Sequence, residues 1–205
     1  MLIVFDMDGV FIEERSSWKL IHKKFGIDNS DLVKKYLDDE INDEEFLNED
    51  IRRWRKNGVR KKDIIQILQN VPLIKGAESC VKYFSKMGKT AIISGGIDIL
   101  ARRIARYGID YVFANGIEFR GEMPWKGILR VPIKRKDVVL KKLMKKLDIK
   151  ARDVIVVGDT KYDLCMFRNA GIKIAFNARD DLSRHADFVV EKPDLNELIK
   201  IFEEY

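Results

Sequence analysis

The stretch "VFDMDGV" sets two carboxylates, Asp6 and Asp8, where an apolar run over residues 2–5 stops at Gly9. On an extended chain, residues two apart project to the same side. Like charges at the buried end of a strand raise the cost of ionising one another, so the pair calls for something positive between them. Two more apolar runs end in polar residues. "TAII" leads into Ser94, Gly95 and Gly96, and "DVIVV" into "GDTKYD", which contains Asp159 and Asp163. Ligands of open parallel sheets gather outside the carboxyl ends of the strands. Carboxylates, a hydroxyl and bare backbone delivered to one such rim can hold a divalent cation and a phosphate together.

The elements that must position these residues follow from the hydrophobic pattern. The runs "LIVF", "TAIIS", "YVFAN", "DVIVVGD", "IKIAFN" and "DFVV" read as strands. Between them lie amphipathic segments, "AESCVKYFSKM", "DILARRIARYG", "DVVLKKLMKKL", "DLCMFRNAG" and "DLNELIKIFEEY". Apolar strands separated by helices predict a doubly wound, Rossmann-like α/β fold with a parallel sheet and helices on both faces. From residue 13 to residue 73 the pattern is wholly helical instead. "SSWKLIHKKFG" has Ser16 or Ser17 as its cap and stops near Gly26, and "NSDLVKKYLDD" starts on Asn29 or Ser30. "NDEEFLNEDIRRWRKNG" carries acids in its first turn, bases in its last and Gly58 at its stop, as the helix dipole favours. "RKKDIIQILQN" is the fourth and ends before Pro72. The chain therefore divides into an α/β core of residues 1–12 and 74–205 and an inserted helical cap over 13–73. "GIEFRGEMPWKGILRVP" is expected to be irregular or a hairpin. Trp18 and Trp54 are assigned to packing within the cap, and His22 and His185 to surface or packing roles.

Composition removes several function classes. With 46% hydrophobic and 35% charged residues, the chain reads as a soluble globular protein and not a disordered one. No apolar stretch approaches membrane-spanning length, and the first strand begins without a signal-peptide pattern, so a cytoplasmic place and no membrane contact are expected. Cys80 and Cys165, far apart in sequence, read as two reduced thiols and not as a disulfide or metal pair. Much of the net charge of +6 lies in "IKRKDVVLKKLMKKLDIKARD", where Val139, Leu140, Leu143 and Leu147 make an apolar face and lysines fill the rest. That is a solvated helix face. A basic nucleic-acid-binding module would need aromatic stacking platforms, which this pattern lacks, and no nucleic-acid partner is expected.

"DMDGV", "SGG", a downstream lysine and "GDTKYD" resemble, in order and spacing along essentially the whole chain, the four motifs of the haloacid dehalogenase (HAD) superfamily of phosphotransferases. The helical insertion, "IISGGIDI", "YVFAN" and "AGIKIAFNA" resemble its phosphoserine phosphatase-like branch. The resemblance implies Mg²⁺-dependent hydrolysis of a small phosphorylated metabolite, a phosphate monoester, through an aspartyl-phosphate. Asp6 is then the nucleophile, and Asp8 the acid that protonates the leaving alkoxide and afterwards the base that activates water. Mg²⁺ falls to Asp6, the backbone carbonyl of Asp8 and Asp159, with Asp163 acting on a metal-bound water or on the lysine. Ser94, Gly95 and the backbone around Gly9 receive the phosphate oxygens. Lys136 is the expected positive clamp, with Lys134 second.

The resemblance also has departures. Arg15 and Asp50 stand where the branch uses a glutamate for the substrate ammonium and an arginine for its carboxylate. A small register shift over Glu13, Glu14 and Arg52 or Arg53 would restore the usual signs; unshifted, Arg15 attracts a second anion and binds substrate through it. Tyr162 replaces an asparagine, and "DMDGV" lacks the serine and threonine of that branch. Phosphoserine is accordingly the first named substrate, and an anionic or sugar phosphate the second. A phospho-accepting receiver domain also uses aspartates and Mg²⁺, but it has an acidic pair before the nucleophile's strand and no helical insertion after the first strand.

Overall fold

The computed structural model describes residues 1–178 and 181–203. Its centre is β1 (Leu2–Phe5), four apolar residues that are all buried. This strand pairs in parallel with β2 (Lys89–Ile97) on one side and β5 (Val154–Gly158) on the other. Outward from β2 come β3 (Tyr111–Arg120) and the antiparallel β4 (Met123–Ile128); outward from β5 come β6 (Ile172–Phe176) and β7 (Phe188–Val190). The sheet order β4-β3-β2-β1-β5-β6-β7 puts the three strands that end in candidate residues side by side at its middle. The segment expected as irregular or hairpin is a hairpin: β3 runs on to Arg120 and turns at Gly121 into β4.

Strand alternation sends side chains to both faces. Ile3 and Phe5 pack with α5 (Ala77–Met87), α6 (Asp98–Ala105) and α9 (Asn196–Glu203), while Leu2 and Val4 pack with α7 (Asp137–Leu147) and α8 (Leu164–Phe167). Helices thus cover both faces, as a doubly wound α/β fold requires. Tyr205, which closes the expected last helix, lies outside the described residues.

Four helices stand between β1 and α5: α1 (Ser17–Phe25), α2 (Ser30–Leu37), α3 (Asp43–Lys56) and α4 (Lys61–Asn70). Ser16 caps α1 by accepting from the Lys19 amide, and Gly26 ends the helix with a left-handed backbone. Asn42 and Glu45 form a reciprocal capping box on α3. Asn29 begins α2 without a side-chain capping bond. The insertion is tied to the sheet, since its Trp18, Ile51 and Trp54 belong to the same apolar cluster as Phe5 and Ile97. The β3–β4 hairpin also leans on α3, where the Gly127 amide donates to Asn48 Oδ1 at 2.9 Å.

Candidate active site

Asp6 leaves the sheet straight after β1, with its amide still bonded to the Val157 carbonyl at 2.9 Å. Its Oδ1 accepts from the Met7 amide at 2.7 Å, and its Oδ2 accepts from Lys136 Nζ at 2.8 Å. Lys136, buried at the start of α7, also donates to Asp163 Oδ1 at 2.8 Å. Burial works against the Lys136 charge, but the carboxylates of Asp163 and Asp6 outweigh it and raise the lysine above its ordinary value. Lys134 points elsewhere, to Asp39 and to the Tyr36 carbonyl. Only one of the two lysines weighed from the sequence therefore reaches the rim.

Asp159 and Asp163 come from the turn after β5. The second oxygen of Asp163 accepts from the Asp159 and Thr160 amides at 3.1 and 3.2 Å, so both its oxygens are engaged. Asp159 Oδ2 accepts from Arg15 Nη1 at 2.5 Å, while its Oδ1 is buried without a partner among the described residues. Carboxylate oxygens of Asp6, Asp159 and Asp163 lie within 4.8 Å of one another. Burial pushes Asp159 and Asp163 up from the usual carboxylate value, with the Asp6 charge adding to the effect. Such a crowd of hard oxygen donors, one with an orphaned buried atom, suits a divalent cation.

Asp8 faces the first turn of α1. Its Oδ2 accepts from the Ser17 amide at 2.7 Å and from Ser17 Oγ at 2.9 Å, leaving Oδ1 buried and unpartnered among the described residues. Burial pushes Asp8 up to about 7, against the Ser17 bonds and with the Asp6 charge. The two aspartates of "DMD" thus sit in different environments, one on a lysine and one on hydroxyl and amide donors, which is how paired carboxylates acquire different roles. Ser17 was legible only as a possible helix cap. Its hydroxyl also accepts from the Ile97 amide at 2.9 Å, so it joins Asp8 to the end of β2.

Backbone completes the rim. Gly9 has φ +80°, and a Cβ there would overlap the Asp159 carboxylate. A Cβ on Gly96 would collide with Asp8 and Ser17. Ser94 Oγ accepts from the Gly96 amide at 3.1 Å. The Gly95 carbonyl accepts from Trp18 Nε1 and from Asn115 Nδ2, each at 3.1 Å. Asn115 also accepts the amides of Arg130 and Val131 at 2.8 and 2.9 Å, holding the loop that leads to Lys136. That asparagine was read merely as a strand end; nothing in local sequence shows that it spans two loops.

The rim forms one end of a cavity of about 840 Å³ whose other walls come from α1, α2 and α3. Arg15, expected to reach a substrate anion, is turned to the rim: besides Asp159 Oδ2 it donates to the Asp159 carbonyl at 3.2 Å and to the Asn177 carbonyl at 2.5 Å. Asp50 lines the cavity from α3 beside His22. His22 is therefore buried in a polar cluster, while His185 is exposed. Trp18 and Trp54 stack at 5.2 Å, with Trp54 in the interior and Trp18 on the cavity wall.

The profile of the haloacid dehalogenase-like hydrolases matches residues 1–171. The chain belongs to that family. It is a phosphatase of the family. Curated relatives include the phosphoserine phosphatase of Methanocaldococcus jannaschii, 29% identical over 97% of this chain and 96% of that protein. The phosphoserine phosphatase of Archaeoglobus fulgidus is 31% identical over 95% of this chain, which spans 57% of that longer protein. A phospho-aspartyl intermediate analogue of phosphoserine phosphatase superposes with a TM-score of 0.82 at 29% identity, covering 98% of this chain and 97% of that one. The rim itself joins three strand ends, four aspartates and one buried lysine. No helix among the described residues is long and apolar enough to cross a membrane.

Proposed function

We propose that this phosphatase is Mg²⁺-dependent and hydrolyses a small phosphorylated metabolite, a phosphate monoester, in the cytoplasm through an aspartyl-phosphate on Asp6. The observation that carries the reading is the convergence of Asp6, Asp159 and Asp163 around Lys136, beside buried, unpartnered oxygens on Asp8 and Asp159. Asp6, Asp159 and the Asp8 carbonyl would hold Mg²⁺, and the ion supplies the positive charge that lets a carboxylate approach a phosphate. Asp163, with both oxygens taken, keeps Lys136 and the β5 turn in place.

Asp6 attacks phosphorus as the ester oxygen departs, and Asp8 gives that oxygen its proton. Asp8 then takes a proton from the water that opens the aspartyl-phosphate, returning Asp6 to its carboxylate. A carboxyl held near pH 7 suits both transfers. Ser94, the amides near Gly95 and Gly9, and Lys136 receive the charge spread over the equatorial phosphoryl oxygens. The helical segment 13–73 covers the cavity and keeps bulk water from the phosphoenzyme. Phosphoserine is the ester in the relatives' names; in this chain Arg15 and Asp50 both line the cavity.

Phosphate release from a panel of esters tests the reading. Release should require Mg²⁺, stop in chelator and return when the ion is restored, and Asp159→Asn should lower it by at least ~100-fold. Equal release in chelator would contradict it.

A further inference from the structure

Away from the carboxylate rim, the cavity wall carries Ile27, Val33, Phe46 and Leu47 together with three acids, Glu14, Asp28 and Asp50, of which Asp50 is the buried one. Asp50 is 2% exposed. One of its oxygens accepts from Asn29 Nδ2 at 3.0 Å and lies 3.0 Å from His22 Nε2. Its other oxygen has no protein donor among the described residues. His22, 3% exposed, accepts from Trp54 Nε1 at 3.3 Å on the same Nε2, and its Nδ1 is buried without a partner among the described residues. Asn29, placed to cap α2, spends its amide on Asp50.

A carboxylate this buried is costly unless donors compensate it. Here the protein supplies compensation to one oxygen only, on the wall of a cavity. The lysines and arginine of that wall are engaged elsewhere: Arg15 with Asp159, Lys23 with Glu14, Lys136 with Asp6 and Asp163. Lys19, on the same wall, is exposed to solvent and forms no ion pair among the described residues. A ligand whose phosphate rests on the rim therefore meets a buried acceptor inside α1–α3, while the wall's lysine without an ion pair among the described residues, Lys19, is exposed. A carboxylate brought there faces like charge; an N–H or O–H completes an unfinished set of hydrogen bonds.

We propose that Asp50, held by Asn29 and lying beside His22, is a specificity-determining residue, and that the substrate is a phosphomonoester whose far end carries a hydrogen-bond donor, ammonium or hydroxyl, and no carboxylate. The assignment rests on the phosphatase reading of the rim. It makes phosphoserine a poor substrate for this chain, because its carboxylate has no buried cation to meet. Trp18, fixed by its bond to the Gly95 carbonyl and stacked on Trp54, gives the carbon skeleton an apolar wall between the two polar ends.

Calorimetric titration in Mg²⁺ of the Asp6→Asn protein, in which turnover should stop, tests this with phosphoethanolamine, glycerol phosphate, phosphoserine and phosphoglycolate. An ammonium- or hydroxyl-ended ester should bind at least about tenfold more tightly than either carboxylate-bearing one. Ammonium first identifies an amine end, and hydroxyl first a polyol end. Adding Asp50→Asn should erase that preference, and in steady-state assays of the otherwise native enzyme the loss should fall in KM more than in kcat. Tightest binding of a carboxylate-bearing ester, or a preference that Asp50→Asn leaves intact, overturns the assignment; where the Asp6→Asn protein binds no ester, the kcat/KM ranking of the otherwise native enzyme decides in its place. Where Asp50→Asn fails to melt as a folded protein, the ranking by the Asp6→Asn protein alone decides. The expected binding order with no phosphate released from any ester supports the role of Asp50 and strikes the phosphatase reading instead.

Discussion

Lys136 balances the rim, since it is a buried cation shared by Asp6 and Asp163 while Asp8 and Asp159 each keep a buried oxygen without a partner. Protons and metal ions therefore compete for the same carboxylates. Burial, with the Asp6 charge, lifts Asp8 from its ordinary 3.8 to about 7, and lifts Asp159 as well. A folded-state pKa above the unfolded value means that folding retains protons that the unfolded chain releases. That stability is complete below about pH 4 and is lost as pH rises through about 7 for Asp8 and beyond for Asp159. In chelator, the melting temperature should fall between about pH 5 and pH 8 on account of these groups, and Mg²⁺ should lessen the fall by supplying the charge the protons had. Equal slopes with and without the ion would contradict this. The acids and the lysine were legible because each follows an apolar run or opens a helix. The partners of Arg15 were not, because its side chain crosses to a turn more than a hundred residues away.

At the scale of elements, the turn after β1 is as demanding as the residues it carries. Gly9 adopts φ +80° against the Asp159 carboxylate, so a methyl group there must displace either the turn or the acid. Gly9→Ala should lower turnover by at least ~100-fold and weaken Mg²⁺ binding in a titration, with a loss of stability of ~1–3 kcal/mol. Activity within a few-fold of the parent would show that the turn has slack. The strands and cap helices could be read from period and punctuation because each is a local pattern: Gly26 at a left-handed stop, Asn42 with Glu45 in a box, acids then bases along α3. The meeting of Asp50, His22 and Asn29 could not be read in this way. It depends on how α1 and α3 cross, and neither residue pattern encodes that contact. The hairpin is a similar case, since only the packing of Gly127 on Leu47 and Asn48 shows why it leans on the inserted helices.

For the whole molecule, one apolar cluster runs from the sheet through Phe11 and Trp18 into Trp54 and Ile64. The inserted helices are thus part of the main core's stability, and unfolding should be a single transition, coincident by far- and near-ultraviolet circular dichroism. Separate transitions would make the insertion an independent unit. That shared core fixes the roof of the cavity over the ends of β1, β2 and β5, where the account places its chemistry. Phosphorylation of Asp6 is the step on which that chemistry turns. The most direct measurement is acid-quenched mass spectrometry of the chain mixed with Mg²⁺ and a turned-over ester. One phosphoryl group should be added to the peptide carrying Asp6 and be absent in Asp6→Asn; a label on any other residue, or turnover by Asp6→Asn, would contradict that step.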